Sequence, residues 1–438
     1  VIVLLRNFKN IFNVPDLRKK VFFTFFVLAV YRLGVHIPVP GINTDILNSL
    51  SGVGMGQGFM GFIDMFSGGA LRHFAIFALG MVPYINASIM MQILSMAIPQ
   101  LQQLSKEGAY GRHVINQYTR YLALGLSVLQ GFGIAYMIEA KGLALTPGWG
   151  FRLTTMFFLS VGALFVMWLG EQINAHGIGN GSSMIIFAGI VSGLPAALFK
   201  VANDIQLGQN DPLVAVVLLG ITLAVISCVV FLEKGERRVP VHYARKVVGN
   251  RMYGGQTSYI PFKLNSASVI PVIFSGSILS MLMTLVNFGA QRKIWIFEYL
   301  FDLLGYTGPL NFVLTAVLII FFTFFYTSFI FDPQDLAENI RKSGGFIPGI
   351  RPGGRTAQFF DYLLTRVTVP GSIYLATLAI APRIIRIAAP FPVMFDGISL
   401  LIVIGVALDV SAQIESYLIE RKYDGFLSTG RLKGRAGR

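Results

Sequence analysis

The sequence predicts an all-α polytopic membrane protein of ten transmembrane helices, and two observations carry that expectation. Of its 438 residues, 54% are hydrophobic and only 13% are charged, about half the charged share of soluble domains. Seven stretches, 73–105, 121–138, 153–170, 172–199, 212–232, 264–291 and 303–331, contain no Asp, Glu, Lys or Arg at all. Runs around 21–40 and 392–418 are broken by one or two charges, and 367–382 continues past Arg383 and Arg386, which brings the candidates to ten. A membrane helix needs about 20 mostly apolar residues, so ten spans take roughly 200 and leave short outer connections. Two long polar loops remain, near 233–266 and 332–366. A water-soluble enzyme of this size could not cover its surface with so few charges. Disorder is excluded as well, because disordered chains are charge-rich and poor in aromatics.

An even number of spans places both termini on one side, and the basic residues say which. Lys and Arg number five in 1–20, three in 99–120, seven in 233–266, five in 332–366 and six in 419–438, or 26 of the 35. The opposite side holds eight, and Arg32 lies within the first span. Cytoplasmic loops carry the excess of positive charge, so both termini are expected in the cytoplasm, and the other side is periplasm, cell exterior or an organelle lumen. Basic residues before an apolar run also mark signal peptides. Here the run leads into Ile-Pro-Val-Pro-Gly at 37–41 with no small-x-small cleavage site, as in a retained span.

No catalytic chemistry is legible. The five histidines show no metal-ligand spacing. The glycine runs at 52–58 and 177–181 lack the phosphate-loop pattern. Cys228, the one cysteine, can form no internal disulfide. No cofactor, metal or catalytic residue is expected, and the chain is not expected to be an enzyme.

Three features depart from ordinary spans. Residues 51–71 hold seven glycines, yet Phe59, Phe62, Ile63 and Phe66 would give a short helix an apolar face. An outer loop and a re-entrant segment both fit, since irregular backbone is tolerated at membrane depth only when buried in protein. Within the spans lie Asn86, Gln92, Gln117, Thr284 and Asn287, together with Arg32 and Asp409. Amides singly bond across helices; several on neighbouring helices would form a seam that can hydrate. Arg32 lies about 16 Å along a helix from Val21, near mid-bilayer, and is expected to pair with Asp409 or with backbone carbonyls. Finally, 235–265 alternates β-branched and polar residues around a Gly-Asn turn, as in a hairpin, and Arg351 sits at a Gly- and Pro-rich tip. Projecting basic loops suit an acidic cytoplasmic partner such as RNA or a protein as well as membrane lipid.

Several stretches are specific enough to carry a resemblance: YRLG and IPVPGI within 31–42, MFSGGAL at 65–71, IFALGMVPYI at 76–85, SKEG at 105–108 and NQYTRY at 116–121. They continue with WLGEQI at 168–173, GIGNGSSMIIFAGIV at 177–191, YARKVVG at 243–249, GGFIPGIRPG at 344–353 and SLLIVIGVALD at 399–409. In these the chain resembles, along nearly its whole length, the SecY family of channel-forming subunits of bacterial protein translocases. The resemblance implies two pseudo-symmetric five-helix halves around a central pore. It implies a pore ring at Met81, Ile85, Ser182, Ile186, Ile273 and Ile402, of which Met81 and Ser182 depart from isoleucine. An aliphatic ring offers passing chains no fixed hydrogen bonds and dewets against ions. The glycine-rich segment is then similar to the family's plug, with Phe62, Ile63, Met65 and Phe66. A lateral gate would use Asn86, Gln92, Gln117 and Thr284, while Arg251, Arg351 and Tyr423 would dock a motor or ribosome; Asn250 stands where the family can have Arg.

The implied function is a channel that passes unfolded secretory polypeptides with signal sequences and releases apolar segments sideways into lipid. The drive would come from the SecA ATPase or a ribosome, and SecE and SecG would be the membrane partners. Along the chain this gives an N-terminal segment 1–20, an N-terminal half 21–200 with its plug at about 51–72, and span six with its outer connection at 201–232. A docking loop 233–266, spans seven and eight at 267–331, a second docking loop 332–366, spans nine and ten at 367–418 and a tail 419–438 follow. The alternative is a secondary transporter of inverted repeats with Arg32 and Asp409 as coupling charges.

Overall fold

In a computed structural model of the protein, the described residues are 14–42, 64, 66–140, 142–208, 212–243, 246–248, 251–253, 257–267, 269–291, 295–305, 308–388 and 397–429. The helices are α1 (Pro15–Gly34), α2 (Val82–Ala97), α3 (Pro99–Lys106), α4 (Ala109–Ala140), α5 (Trp149–His176), α6 (Gly181–Gln206) and α7 (Pro212–Glu233). After four strands come α8 (Ile270–Gln291), α9 (Trp295–Leu304), α10 (Pro309–Ile330), α11 (Pro333–Lys342), α12 (Gly354–Ala388) and α13 (Gly397–Thr429). Each of the ten apolar runs overlaps a long helix, α1, α2, α4, α5, α6, α7, α8, α10, α12 or α13, though 73–105 and 172–199 also include turns. By length and hydropathy alone, six described helices can cross a membrane, or seven if the bent pair α2 and α3 counts as one span.

Local chemistry sets several boundaries. Pro15 opens α1, Asp16 lies in its first turn and Arg32 in its last, matching the helix dipole at both ends. Arg32 is in the last turn of the first helix, which starts six residues before Val21, within the basic segment. Pro99 forces Ile98 out of the helical region, and α3 leaves α2 at 102°. The run 73–105 is accordingly not one span, since its first part, up to Met81, is a succession of turns. Two expected loops are shorter than their polar composition implied. α12 begins at Gly354, inside 332–366, and α13 continues to Thr429, inside 419–438. Helical hydrogen bonding does not stop where hydropathy does.

The chain divides into two compact units, 1–196 with 405–438, and 197–404. In the first, α4 packs on α2 and α5, and α1 packs on α5. Its main cluster joins Leu71, Phe74 and Leu79 of the turn segment to Ile138 of α4 and Phe151 and Leu159 of α5. A smaller cluster sets Leu17 and Ile178 against Val410, Ile414 and Leu418 of α13.

In the second unit, β1 (Glu236–Tyr243) lies between β4 (Thr257–Lys263) and β5 (Gly345–Phe346), all antiparallel, in the order β4–β1–β5. β5 reaches only His242 and Tyr243, so Pro240, which lacks an N–H, sits where that edge is open. β2 (Lys246–Val248) pairs with β3 (Arg251–Tyr253), so the expected hairpin forms, while its Gly-Asn turn lies outside the described residues. Asp332 caps α11 by accepting from the Gln334 N–H at 2.8 Å, with Pro333 behind it and Arg341 and Lys342 at the far end. Val239, Val241, Phe262, Ile340, Ile347, Phe360 and Leu364 close a core between sheet, α11 and α12.

Candidate functional site

The distinctive site of the first unit is the turn segment after Asp64. Most side chains from Phe66 to Met81 are buried, Phe66 at 1% exposure, with Arg72 and His73 facing outward; Phe66 and Ser67 are still helical, and from Gly68 to Met81 the backbone is a succession of turns. Buried backbone polar groups need partners, and these come from elsewhere in the chain. The Tyr31 hydroxyl donates to the Ser67 carbonyl at 2.9 Å, and Arg32 Nη1 donates to the Gly68 carbonyl at 2.8 Å. Val39 N–H donates to the Phe74 carbonyl at 3.0 Å, and Ile76 N–H to the Ile37 carbonyl at 2.9 Å. The buried Asp64 carboxylate clasps Arg72, accepting from its Nε at 2.5 Å and its backbone N–H at 3.2 Å.

Glycine makes the close approaches possible. Gly68, at φ +66°, lies so near the Gly189 backbone of α6 that a Cβ on either would collide with the other. Gly162 of α5 likewise leaves room for the Ile76 carbonyl. Phe74 is the non-glycine residue at positive φ, held in the left-handed region by the packing around its buried ring.

Of the expected ring residues in this unit, Met81 is buried against Gly170 of α5, and Ile85 follows one turn later on α2, half-buried. Ile186 of α6 is buried. Ser182 donates from Oγ to Asn180 Oδ1 at 2.6 Å, so it is engaged at the start of α6. In the second unit, Ile273 is half-buried on α8 and Ile402 buried on α13. Among the plug residues, Phe66 is the one described; Phe62, Ile63 and Met65 lie outside the described residues.

Asn86 and Gln92 are half-buried on α2, and Gln117 is exposed on its packed neighbour α4, with Nε2 3.2 Å from His113 Nε2. Thr284 lies on α8, its side chain outside the description. Arg251 is paired through its backbone with Val248, and Tyr423 lies on the end of α13; neither side chain is described. Arg351 is exposed at the tip before α12, where its carbonyl accepts from Thr356 Oγ1 at 3.0 Å. Arg32 takes the backbone-carbonyl option, while Asp409 is exposed and has no ion pair among the described residues.

Residue patterns alone did not point to three polar ties. Arg120 of α4 grips Glu171 of α5 through two bonds, at 2.7 and 2.9 Å. Arg152 and Glu139 pair at 2.5 Å. The Gly179 N–H donates to Gln413 Oε1 at 2.9 Å, tying the α5–α6 turn to α13. The available signal was a set of isolated opposite charges at the rims of apolar runs.

Among the described residues, ten long helices with a buried turn segment tied back onto the first of them define a polytopic membrane protein of the class that buries irregular backbone within packed helices. The sequence profile of the SecY family matches residues 75–411. A protein translocase subunit SecY of Pseudomonas aeruginosa is 43% identical over 425 residues, covering 96% of both chains. One of Thermus thermophilus is 41% identical over 439 residues, covering 99% of this chain and all of that one. The chain belongs to the SecY family. In fold it is similar to a solved protein-conducting channel, with a TM-score of 0.64 at 17% identity over 91% of this chain and 92% of that one. It is also similar to a SecY protein whose plug domain stabilises the closed channel, with a TM-score of 0.63 at 19% identity over 91% and 92% of the two chains. Sec61 from the canine ribosome–channel complex has a TM-score of 0.60 at 16% identity, again over 91% and 92%.

Proposed function

We propose that this chain is the channel-forming subunit of a protein translocase, passing unfolded secretory polypeptides across a membrane and releasing apolar segments sideways into lipid. The observation that carries this reading is the largely buried turn segment 68–81, non-helical backbone held inside a helical unit by a few polar ties. A hydrogen bond contributes about 1 kcal/mol net, and an ion pair with a largely exposed partner, as Arg72 is, contributes about 0–1 kcal/mol. Ties of that size hold a closure at rest and yield to an arriving chain. Phe62, Ile63, Met65 and Phe66 form the plug, and Met81, Ile85, Ser182, Ile186, Ile273 and Ile402 the ring it seals. Asn86, Gln92, Gln117 and Thr284 lower the cost of hydrating the gate. An apolar segment leaving through it gains about 0.3–0.6 kcal/mol per Leu, Ile, Phe or Val.

The sequence holds no nucleotide motif, so a partner supplies the push: the SecA ATPase or a translating ribosome, docked through Arg251, Arg351 and Tyr423. SecE and SecG complete the membrane complex. The chain itself is not an enzyme, and it lies in the inner membrane with both termini cytoplasmic. As a transporter coupling charge, Arg32 would have to be free to exchange partners, whereas here it donates to the Gly68 carbonyl.

Cysteine crosslinking tests the reading. A Phe66→Cys variant in proteoliposomes is expected to crosslink to a precursor arrested in mid-translocation and not to the same precursor before the ATPase is added. Absence of any crosslink from this position, while a small solute accumulates, would favour the transporter.

A further inference from the structure

The end of α7 carries a second site, in the other unit. Beyond Glu233 the chain folds back sharply: the Lys234 and Gly235 N–H groups donate to the Val230 and Leu232 carbonyls, each at 3.1 Å, and Leu264 N–H donates to the Gly235 carbonyl at 2.9 Å. A Cβ at Gly235 would press on the end of the Leu264 side chain, which packs directly over this return. Beside it lies a cavity of about 750 Å³. Its wall is apolar, made by Ile226, Val230, Phe231 and Leu264, and its rim carries Lys234 and Arg237. Phe231 is 79% exposed and stands as an outer wall.

Nearby carboxylates are already engaged. Glu236 accepts from Arg238 Nε at 2.6 Å, and Glu233 accepts from Asn265 Nδ2 at 2.6 Å. Among the described residues neither Lys234 nor Arg237 has an ion-pair partner. Glu236 itself lines the cavity, and Asn265 is neutral, so Lys234, Arg237 and Arg238 outnumber Glu233 and Glu236 by one positive charge at the mouth of an apolar trough, at the end of the apolar helix α7.

The geometry points to a binding site for one anionic phospholipid, its phosphate between Lys234 and Arg237 and an acyl chain along Ile226, Val230 and Phe231. The order of the lining is the order of a phospholipid: charge at the helix end, hydrocarbon along the spanning helix. A soluble acidic peptide or free phosphate would use the rim and leave the trough empty. The inference depends on α7 crossing the membrane and holds whatever the channel carries.

The test uses the full-length protein, with any membrane subunits that copurify, in phosphatidylcholine nanodiscs containing a trace of phosphatidylglycerol with a photoreactive acyl chain. Labelling is expected to map to residues 226–237, to be displaced by unlabelled phosphatidylglycerol and to persist in excess inorganic phosphate. Lys234→Gln with Arg237→Gln is expected to weaken retention about 25-fold, from about fivefold per cation. Val230→Trp, which keeps both charges and fills the trough, should abolish labelling there. Arg341→Gln with Lys342→Gln, an equal loss of charge elsewhere, should leave it unchanged. Equal loss in that control, displacement by phosphate, or full labelling in Val230→Trp would each overturn the site.

Discussion

Residues 66–81 and 344–353 are both glycine-rich, and the protein uses them in opposite ways. In the first, Gly68, Gly69 and Gly80 at positive φ turn the backbone inside a packed unit; in the second, Gly344, Gly349 and Gly353 turn it at a surface tip. Most of the first is buried, and its Ser67 and Gly68 carbonyls accept from Tyr31 and Arg32 of α1. Around the second, water can satisfy the tip, and a small core of soluble type, with Ile347 and Phe262 in it, holds the base while Arg351 stays exposed. The difference teaches how one composition serves two ends. Irregular backbone in a dry interior hangs on a few specific bonds and can be released; on a hydrated platform it is anchored by its flanks and presents charge.

That contrast can be broken, and the largest effect is expected on the platform. The Phe262 ring is buried, 5.6 Å from Phe360 and 5.9 Å from Phe331 between centroids. Phe262→Ala should cost about 3–5 kcal/mol and open the 233–266 loop to trypsin in membranes. Unchanged digestion would mean the platform has no core of its own. Next comes Gly68→Val, which meets the Gly189 backbone at a strained φ. Overpacking of about 1–3 kcal/mol should displace the turn segment and raise the ion conductance of the idle channel in planar bilayers. Wild-type conductance would show that the segment is no seal.

Smaller shifts are expected from the ties themselves. Tyr31→Phe removes one hydrogen bond, about 1 kcal/mol, and should raise the open fraction about fivefold by the same conductance measurement. Asn86→Leu or Gln92→Leu should move the closed–open balance by about 0.6 kcal/mol. The readout is translocation of precursors with weakened signal sequences, and unchanged selectivity would remove these amides from the gate. Arg351→Glu should leave stability within about 0.5 kcal/mol while motor-driven translocation falls. Loss of folding in that variant would contradict an exposed, partner-facing charge.

Much of the fold was legible because hydropathy is local. Each apolar run contains much of a long helix, since backbone in hydrocarbon has no other way to bond within one segment. The 235–265 hairpin was legible from its alternation. The candidate site was less so. Run 73–105 scores as apolar throughout, but transfer free energy does not distinguish a helix from buried turns, and what decides between them is Gly189, Gly162 and Tyr31, all remote in sequence. The position of Arg32 along α1 likewise depends on where the helix starts, which is set by Pro15 and Asp16 rather than by the apolar run.

By itself, then, the sequence determined the class, most of the helices, the charge excess of the basic loops and the family, because these follow from summed local preferences and long exact motifs. Tertiary structure alone decided which backbone stays irregular, which carboxylate clasps Arg72, and where two cations meet an apolar trough. Those outcomes rest on partners distant in the chain, and only the packed structure brings such groups within hydrogen-bonding reach.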